Sequence, residues 1–169
     1  MQKAASPLMI LIVLFMAALQ GCYSFKGSSL PLHLKTIAIP VFEDRSGAGI
    51  AQFRGDLTGR LANKIESQSP LRLTPSMSRA EGLLEGAIIS FADAPSQLSS
   101  KTERAITNRV TLVVQVTMTD RLKKTLIFSQ TFVGFSDYRT GDYVAQQGAI
   151  RYCISQIIDE IFDRIVSGW

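Results

Sequence analysis

Histidine is almost missing from these 169 residues, with His33 the single example, and there are only two cysteines, Cys22 and Cys153. That scarcity excludes most zinc centres and most nucleophile–base pairs, which draw on clusters of these residue types. His33 stands between Leu32 and Leu34 with no second histidine to join it, so no catalytic or metal-binding role is expected of it. No phosphate-binding glycine loop and no dinucleotide fingerprint occur. Repeats and low-complexity segments are lacking too. The longest apolar run, Leu8–Leu19, has 12 residues, well short of the ~20 that a membrane-spanning helix needs. Nor is there a strong excess of one charge: 18 Lys+Arg against 14 Asp+Glu give a formal net charge of +4, too little and too dispersed for a nucleic-acid protein. Asp159, Glu160 and Asp163 read as a solvated helix face, and Asp44, Asp137 and Asp142 as turn residues. An enzyme is not expected, and neither is a metal or a non-covalent cofactor.

What is present begins with the N-terminus. Lys3, the apolar run and then Leu19-Gln20-Gly21-Cys22 resemble a bacterial lipoprotein signal ending in a lipobox. Residues 1–21 are expected to be cleaved, and Cys22 to carry diacylglycerol and an N-acyl chain such as palmitate. Tyr23, where an aspartate would favour the inner membrane, points to the outer membrane, with a lipid-anchored, periplasm-facing chain. Removal of Lys3 with the signal leaves a mature net charge of +3. With Cys22 acylated, Cys153 has no partner for an intrachain disulfide. It falls on or beside the apolar stripe of the last helix and reads as a small core residue.

Residues 22–34 form a tether, and residues 35–169 a single domain. Thr36–Phe42 reads as a strand with Pro40 at an edge or bulge, and 43–49 as a turn. Ile50, Phe53, Leu57, Leu61 and Ile65 recur every 3 or 4 residues on one helix face, which Pro70 ends. Short strands are expected at 71–74 and 82–91, with a polar loop at 92–104. Over 109–119 apolar and polar residues alternate, as in a half-buried antiparallel strand. A charged turn at 120–124 leads to a returning strand at 125–135. After a turn at 137–142, Asp142 is placed to cap a last helix carrying Ile150, Ile154, Ile157, Ile161 and Ile165. Gly168 ends it. The fold class is therefore α+β: a two-layer sandwich of about four mostly antiparallel strands with two helices on one face.

Two features are candidates for function. The outward face of strand 109–119 presents Thr111, Gln115, Thr117 and Thr119 around Val113. Thr111, Gln115 and Thr117 are the candidate partner contacts. At one end of the sheet, the hairpin topology brings loop 92–104 beside turn 137–142, and so Lys101 and Arg104 near Arg139 and a helix N-terminus. These three are candidate anion-binding groups, since guanidinium groups and helix N-termini favour phosphates and carboxylates.

CYSFKGSSLP after the lipobox, KTIAIPVFEDRS in the first strand, FSQTF at Phe128–Phe132 and the terminal DEIFDRIVSGW together resemble the LptE family of lipopolysaccharide-assembly lipoproteins. The similarity runs over essentially the whole mature chain. It implies two helices on a four-stranded sheet, and a lipid-anchored plug within an LptD-type outer-membrane β-barrel that helps the barrel assemble and takes part in lipopolysaccharide transport. The family's basic lipopolysaccharide contacts do not align cleanly here, so Lys101, Arg104 and Arg139 rest on topology. IAIPVFEDRSG also resembles the opening strand of lipoproteins that build secretion pores or other envelope complexes, which is the alternative.

Overall fold

In the computed structural model, residues 30–49, 51–98, 100 and 105–167 are described. The signal segment, Cys22, Ile50, Lys101, Arg104, Gly168 and Trp169 lie outside them. In chain order the elements are β1 (Thr36–Ala38), β2 (Glu43–Asp44), α1 (Ala51–Gln68), β3 (Arg72–Leu73), β4 (Gly82–Leu98), β5 (Ala105–Asp120), β6 (Thr125–Arg139) and α2 (Tyr143–Ser167). Among the described residues the architecture is α+β, with two helices and one sheet ordered β3-β1-β4-β5-β6, β2 pairing beside β4.

The sheet departs from the expected one in number and in direction. It holds six strands, and it is mixed: β1 is parallel to β3 and β4, and β2 is parallel to β4. The reason is the crossover through α1. A strand, a helix and a second strand in one sheet return in the same direction. The expected strand 36–42 is divided. Pro40 has no N–H to give a ladder, so pairing stops after Ala38 and resumes at Glu43. Within the gap Phe42 turns inward and is almost fully buried. Its N–H donates to Thr58 Oγ1 of α1 at 3.0 Å. Opposite its ring lies Gly86, where a side chain would collide: a Cβ there would stand 2.3 Å from the Phe42 ring.

A second correction concerns residues 92–104. Ala92–Leu98 continue β4, and Ala105–Asn108 begin β5, with Ala92 opposite Thr111 and Leu98 opposite Ala105. Every residue from Ala94 to Leu98 is exposed, so no apolar period marks this stretch. Pro95 is accommodated where the register shifts between Pro95 and Gln97. Likewise Asp137–Arg139 belong to β6 and not to a turn. The antiparallel meander is therefore long, with strands of 17, 16 and 15 residues. At ~3.4 Å per residue β5 runs roughly 54 Å, against roughly 37 Å for α2 at 1.5 Å per residue. The β4–β5 hairpin consequently projects as an arm beyond its helical support.

The core lies between sheet and helices. Leu57, Leu61 and Ile65 of α1 are fully buried, as the stripe predicts. The even-numbered residues Val110–Met118 of β5 are buried too, against Ile150, Ile154, Ile157, Ile161 and Ile165 of α2. Asp142 caps α2, its Oδ1 accepting from the Ala145 N–H at 2.9 Å. Cys153 is buried and its thiol approaches the Val110 carbonyl at 3.7 Å; burial pushes its pKa up to about 11. Beside it the helix and sheet backbones nearly touch. A Cβ on Gly134 would lie 2.5 Å from the Cys153 carbonyl oxygen, so this crossing requires glycine.

Candidate functional site

The helices cover one face of the meander and leave the other open. On β5 the alternation that buries Val110, Leu112, Val114 and Val116 turns Arg109, Thr111, Val113, Gln115 and Thr117 outward. The register places these opposite Asp137, Phe135, Val133, Thr131 and Ser129 of β6. The outward face is thus built by two strands in register. Its lower part is a polar ladder. Gln115 Nε2 donates to Ser129 Oγ at 3.0 Å, Thr131 Oγ1 donates to Gln115 Oε1, and the Thr117 and Ser129 hydroxyls lie 3.0 Å apart. Its upper part is apolar. Val133 is 46% exposed and Phe135 50% exposed, with exposed Ala92 and Ala94 on neighbouring β4.

Arg109 closes this apolar part. Its guanidinium stacks 5.0 Å from the Phe135 ring centroid and forms a bidentate pair with Asp137, at 2.8 and 2.9 Å. The pairing holds the Asp137 carboxyl below the usual aspartate range and raises Arg109 further. Both charges are thereby held in one geometry.

Thr111, Gln115 and Thr117 do share this face and are half-buried. Gln115 and Thr117, however, spend their polar atoms on β6. The residues offering the most apolar area, Val133 and Phe135, were not among the sequence candidates. The alternation Ser129, Thr131, Val133, Phe135 within the returning strand carried the signal.

The far end of the meander brings together the hairpin, the end of β6 and the start of α2. Thr107 pairs with Arg139, and the Thr140 N–H donates to the Ile106 carbonyl at 3.2 Å. Arg139 is exposed there. Lys101 and Arg104, in the connection between β4 and β5, lie outside the described residues. On the helix side of this end stands a polar cluster. Asp93 Oδ2 accepts from Tyr138 Oη at 2.7 Å and from Gln146 Nε2 at 2.6 Å, and Asn108 Nδ2 donates to Asp93 Oδ1 at 3.2 Å. Burial and the adjoining carboxylate push the Tyr138 phenol up. These bonds fix α2 to the sheet.

His33 holds the opposite end. Its Nε2 lies 2.6 Å from Oδ2 of Asp120, whose side chain is almost fully buried. Asp120 Oδ1 also accepts the Lys123 N–H at 2.9 Å. That backbone bond, with His33 beside it, holds the Asp120 carboxyl below its ordinary value against the effect of burial. The turn at 120–124 thus clasps the segment where the chain enters the domain. Among the described residues no group of three or more metal-ligating side chains occurs.

The fold defines an α+β module with one open sheet face and a polar cluster at each end of the sheet. The chain belongs to the LptE family, lipopolysaccharide-assembly, whose model matches residues 34–165. No curated protein matches it. Several solved structures share the fold at low identity. XCC0632 from Xanthomonas campestris is 12% identical, with a TM-score of 0.61 over 80% of this chain and 85% of its own. A minor lipoprotein from Acinetobacter baumannii is 17% identical, with a TM-score of 0.50 over 80% and 92%. The PelC dodecamer from Paraburkholderia phytofirmans is 12% identical, with a TM-score of 0.51 over 83% and 92%.

Proposed function

We propose that this chain is an outer-membrane lipoprotein, acylated at Cys22, that plugs an LptD-type β-barrel and takes part in lipopolysaccharide delivery to the cell surface. The family match carries this reading. The open face of β5 and β6 supports it, because a plug needs a broad, rigid surface with both apolar and hydrogen-bonding parts against a barrel wall. Val133 and Phe135 supply anchors, Gln115 and Thr117 supply rim contacts through the Thr–Gln–Ser ladder, and Thr111 stands opposite Phe135. Lys101, Arg104 and Arg139 are the proposed contacts for the acidic groups of lipopolysaccharide.

Copurification of the lipoprotein with its barrel tests the surface. Thr111→Arg and Phe135→Arg each force an unpaired charge into the contact at a cost of about 3 kcal/mol, a loss of roughly 100-fold in affinity. The isolated domain loses little unfolding temperature, because both positions lie on its open face and neither is in the core. Undiminished copurification of both variants places the contact elsewhere. A second reading, a homo-oligomeric subunit of another envelope complex, is favoured by the likeness to a PelC dodecamer. The native mass of the detergent-extracted protein separates the two: one large barrel partner against a ring of identical chains.

A further inference from the structure

The end of the sheet opposite the hairpin arm has a chemistry of its own. Here β1, β3 and β4 begin and β5 ends, with Thr36 beside Arg72, Ile37 beside Gly82, and Gly82 beside Asp120. The chain enters the domain at this end. His33 is fastened to Asp120, and the Arg121 N–H donates to the Glu81 carbonyl at 2.8 Å, so the entry segment and the turn at 121–124 form one surface. Leu32 stands out from it, 99% exposed, at the lip of an apolar groove that Leu30, Pro31 and Leu34 also line. Leu122 in the adjoining turn is 61% exposed.

Cations surround these two leucines. Lys35 and Arg72 border the groove, and Lys123 and Lys124 follow Leu122. All four are exposed, and none forms an ion pair among the described residues. The carboxylates at this end are already engaged. Glu81 Oε2 accepts the Lys35 and Thr36 N–H groups at 2.5 and 3.0 Å, and Asp120 is held by His33 and Lys123. Two exposed apolar side chains beside four exposed cations, of which Lys35 lies near the Glu81 carboxylate, form the pattern of a surface that docks on anionic headgroups.

We infer that this end, with Leu32 and Leu122 as apolar contacts and Lys35, Arg72, Lys123 and Lys124 as headgroup contacts, rests on the anionic phospholipid surface into which the Cys22 acyl chains insert. The inference depends on the acylation proposed above. Cys22 lies eight residues before Leu30, so even a fully extended connection reaches only roughly 28 Å. The anchor therefore confines the basic end near the bilayer, where electrostatic attraction adds to the hold of the acyl chains. Each cation near such a surface favours association by roughly fivefold. Docking there orients the molecule: the sheet face stands across the surface, and the hairpin arm points away from it.

The test uses the intact lipoprotein in a Trp169→Phe background, so that an introduced indole is the only one. Leu32→Trp and, as a probe of the far end, Tyr143→Trp are reconstituted into vesicles of phosphatidylethanolamine and phosphatidylglycerol with brominated acyl chains, and into phosphatidylcholine vesicles brominated alike. Leu32→Trp is expected to be quenched in the anionic vesicles and much less in phosphatidylcholine, while Tyr143→Trp stays unquenched in both. Reversing Lys35, Arg72, Lys123 and Lys124 to Glu lowers the docked fraction by more than about tenfold, although the protein still floats with the vesicles. Flotation without quenching of Leu32→Trp overturns the docking and leaves the anchor standing. Quenching that survives the four reversals also overturns it, since tethering alone then suffices. A chain that fails to float overturns the anchor, and the docking with it. Cross-linking of this end to the barrel in place of lipid quenching assigns the surface to the protein partner and refutes the inference.

Discussion

Replacing Gly134 by alanine tests the close approach of α2 to β6. The added Cβ would sit 2.5 Å from the Cys153 carbonyl oxygen and 3.1 Å from both its carbonyl carbon and Cα. Ordinary contacts begin near 3.4 Å, so α2 and β6 must part by nearly an ångström. Neither can yield locally. The carbonyl belongs to the helix backbone, and β6 is held to β5 by a continuous ladder through Gly134 and Leu112. Overpacking of this kind costs about 1–3 kcal/mol. At roughly 3–5 °C per kcal/mol for a domain of this size, the unfolding midpoint falls by roughly 3–15 °C. Thermal and urea unfolding followed by circular dichroism measure it. The collision is with backbone, so trimming Cys153 to alanine gives no relief, and the double variant is no more stable than Gly134→Ala alone. An unchanged midpoint in Gly134→Ala, or its rescue by Cys153→Ala, refutes the reasoning. The outcome bears on function, because Val133 and Phe135 flank this glycine, and a strand displaced from α2 carries them out of their place on the open face.

Two further predictions address the ends of the sheet. Asp120 is held below its ordinary pKa, chiefly by the Lys123 N–H and then by His33, so it contributes stability above the unfolded aspartate value of about 3.9 and loses it as pH falls through its lower folded value; Asp120→Asn is expected to flatten the acid limb of the urea midpoint between roughly pH 5 and 2, and an unchanged limb would show that neither contact of Asp120 contributes. Replacing Lys101, Arg104 and Arg139 by Glu is expected to weaken lipopolysaccharide binding and its salt dependence with little change in unfolding temperature, whereas Lys123→Glu with Lys124→Glu leaves lipopolysaccharide binding nearly intact; equal losses from both sets would reduce the site to general attraction.

The parts of the fold legible in the sequence are those where one face meets the core and the other meets solvent. The alternation from Val110 to Met118 and the stripes Leu57–Leu61–Ile65 and Ile150–Ile165 are imposed by burial, and burial leaves a period. Ala94–Leu98 carry no such mark because both their faces are exposed, so a strand held only by its ladder looks like a polar loop. The parallel pairing of β1 with β3 rests on two residue pairs, Thr36 with Arg72 and Ile37 with Leu73, too few to show a pattern. Contacts between distant positions were illegible for another reason. His33 and Asp120 are 87 residues apart, and nothing local to either names the other. Phe42 against Gly86 is of the same kind: a glycine inside a strand signals close approach, but not what approaches. On the candidate surface the threonines are legible from β5 alone; Val133 and Phe135 show as an alternation in β6, but only the register sets them beside Val113 and Thr111.

The overhanging hairpin gives the molecule two thermodynamic compartments. Amides of β5 between Val110 and Met118 lie over the helices and exchange with solvent only when the whole domain opens. Those of Ala94, Ser96–Leu98 and Ala105–Thr107 have no apolar layer above them, and exchange through local fraying at a small fraction of that free energy. A ligand or wall that grips the tip therefore adds protection where the free chain has least, without disturbing the packed body. The increase in protection on binding maps which arm residues have been gripped, and mutations there alter recognition while the midpoint of global unfolding stays where it was.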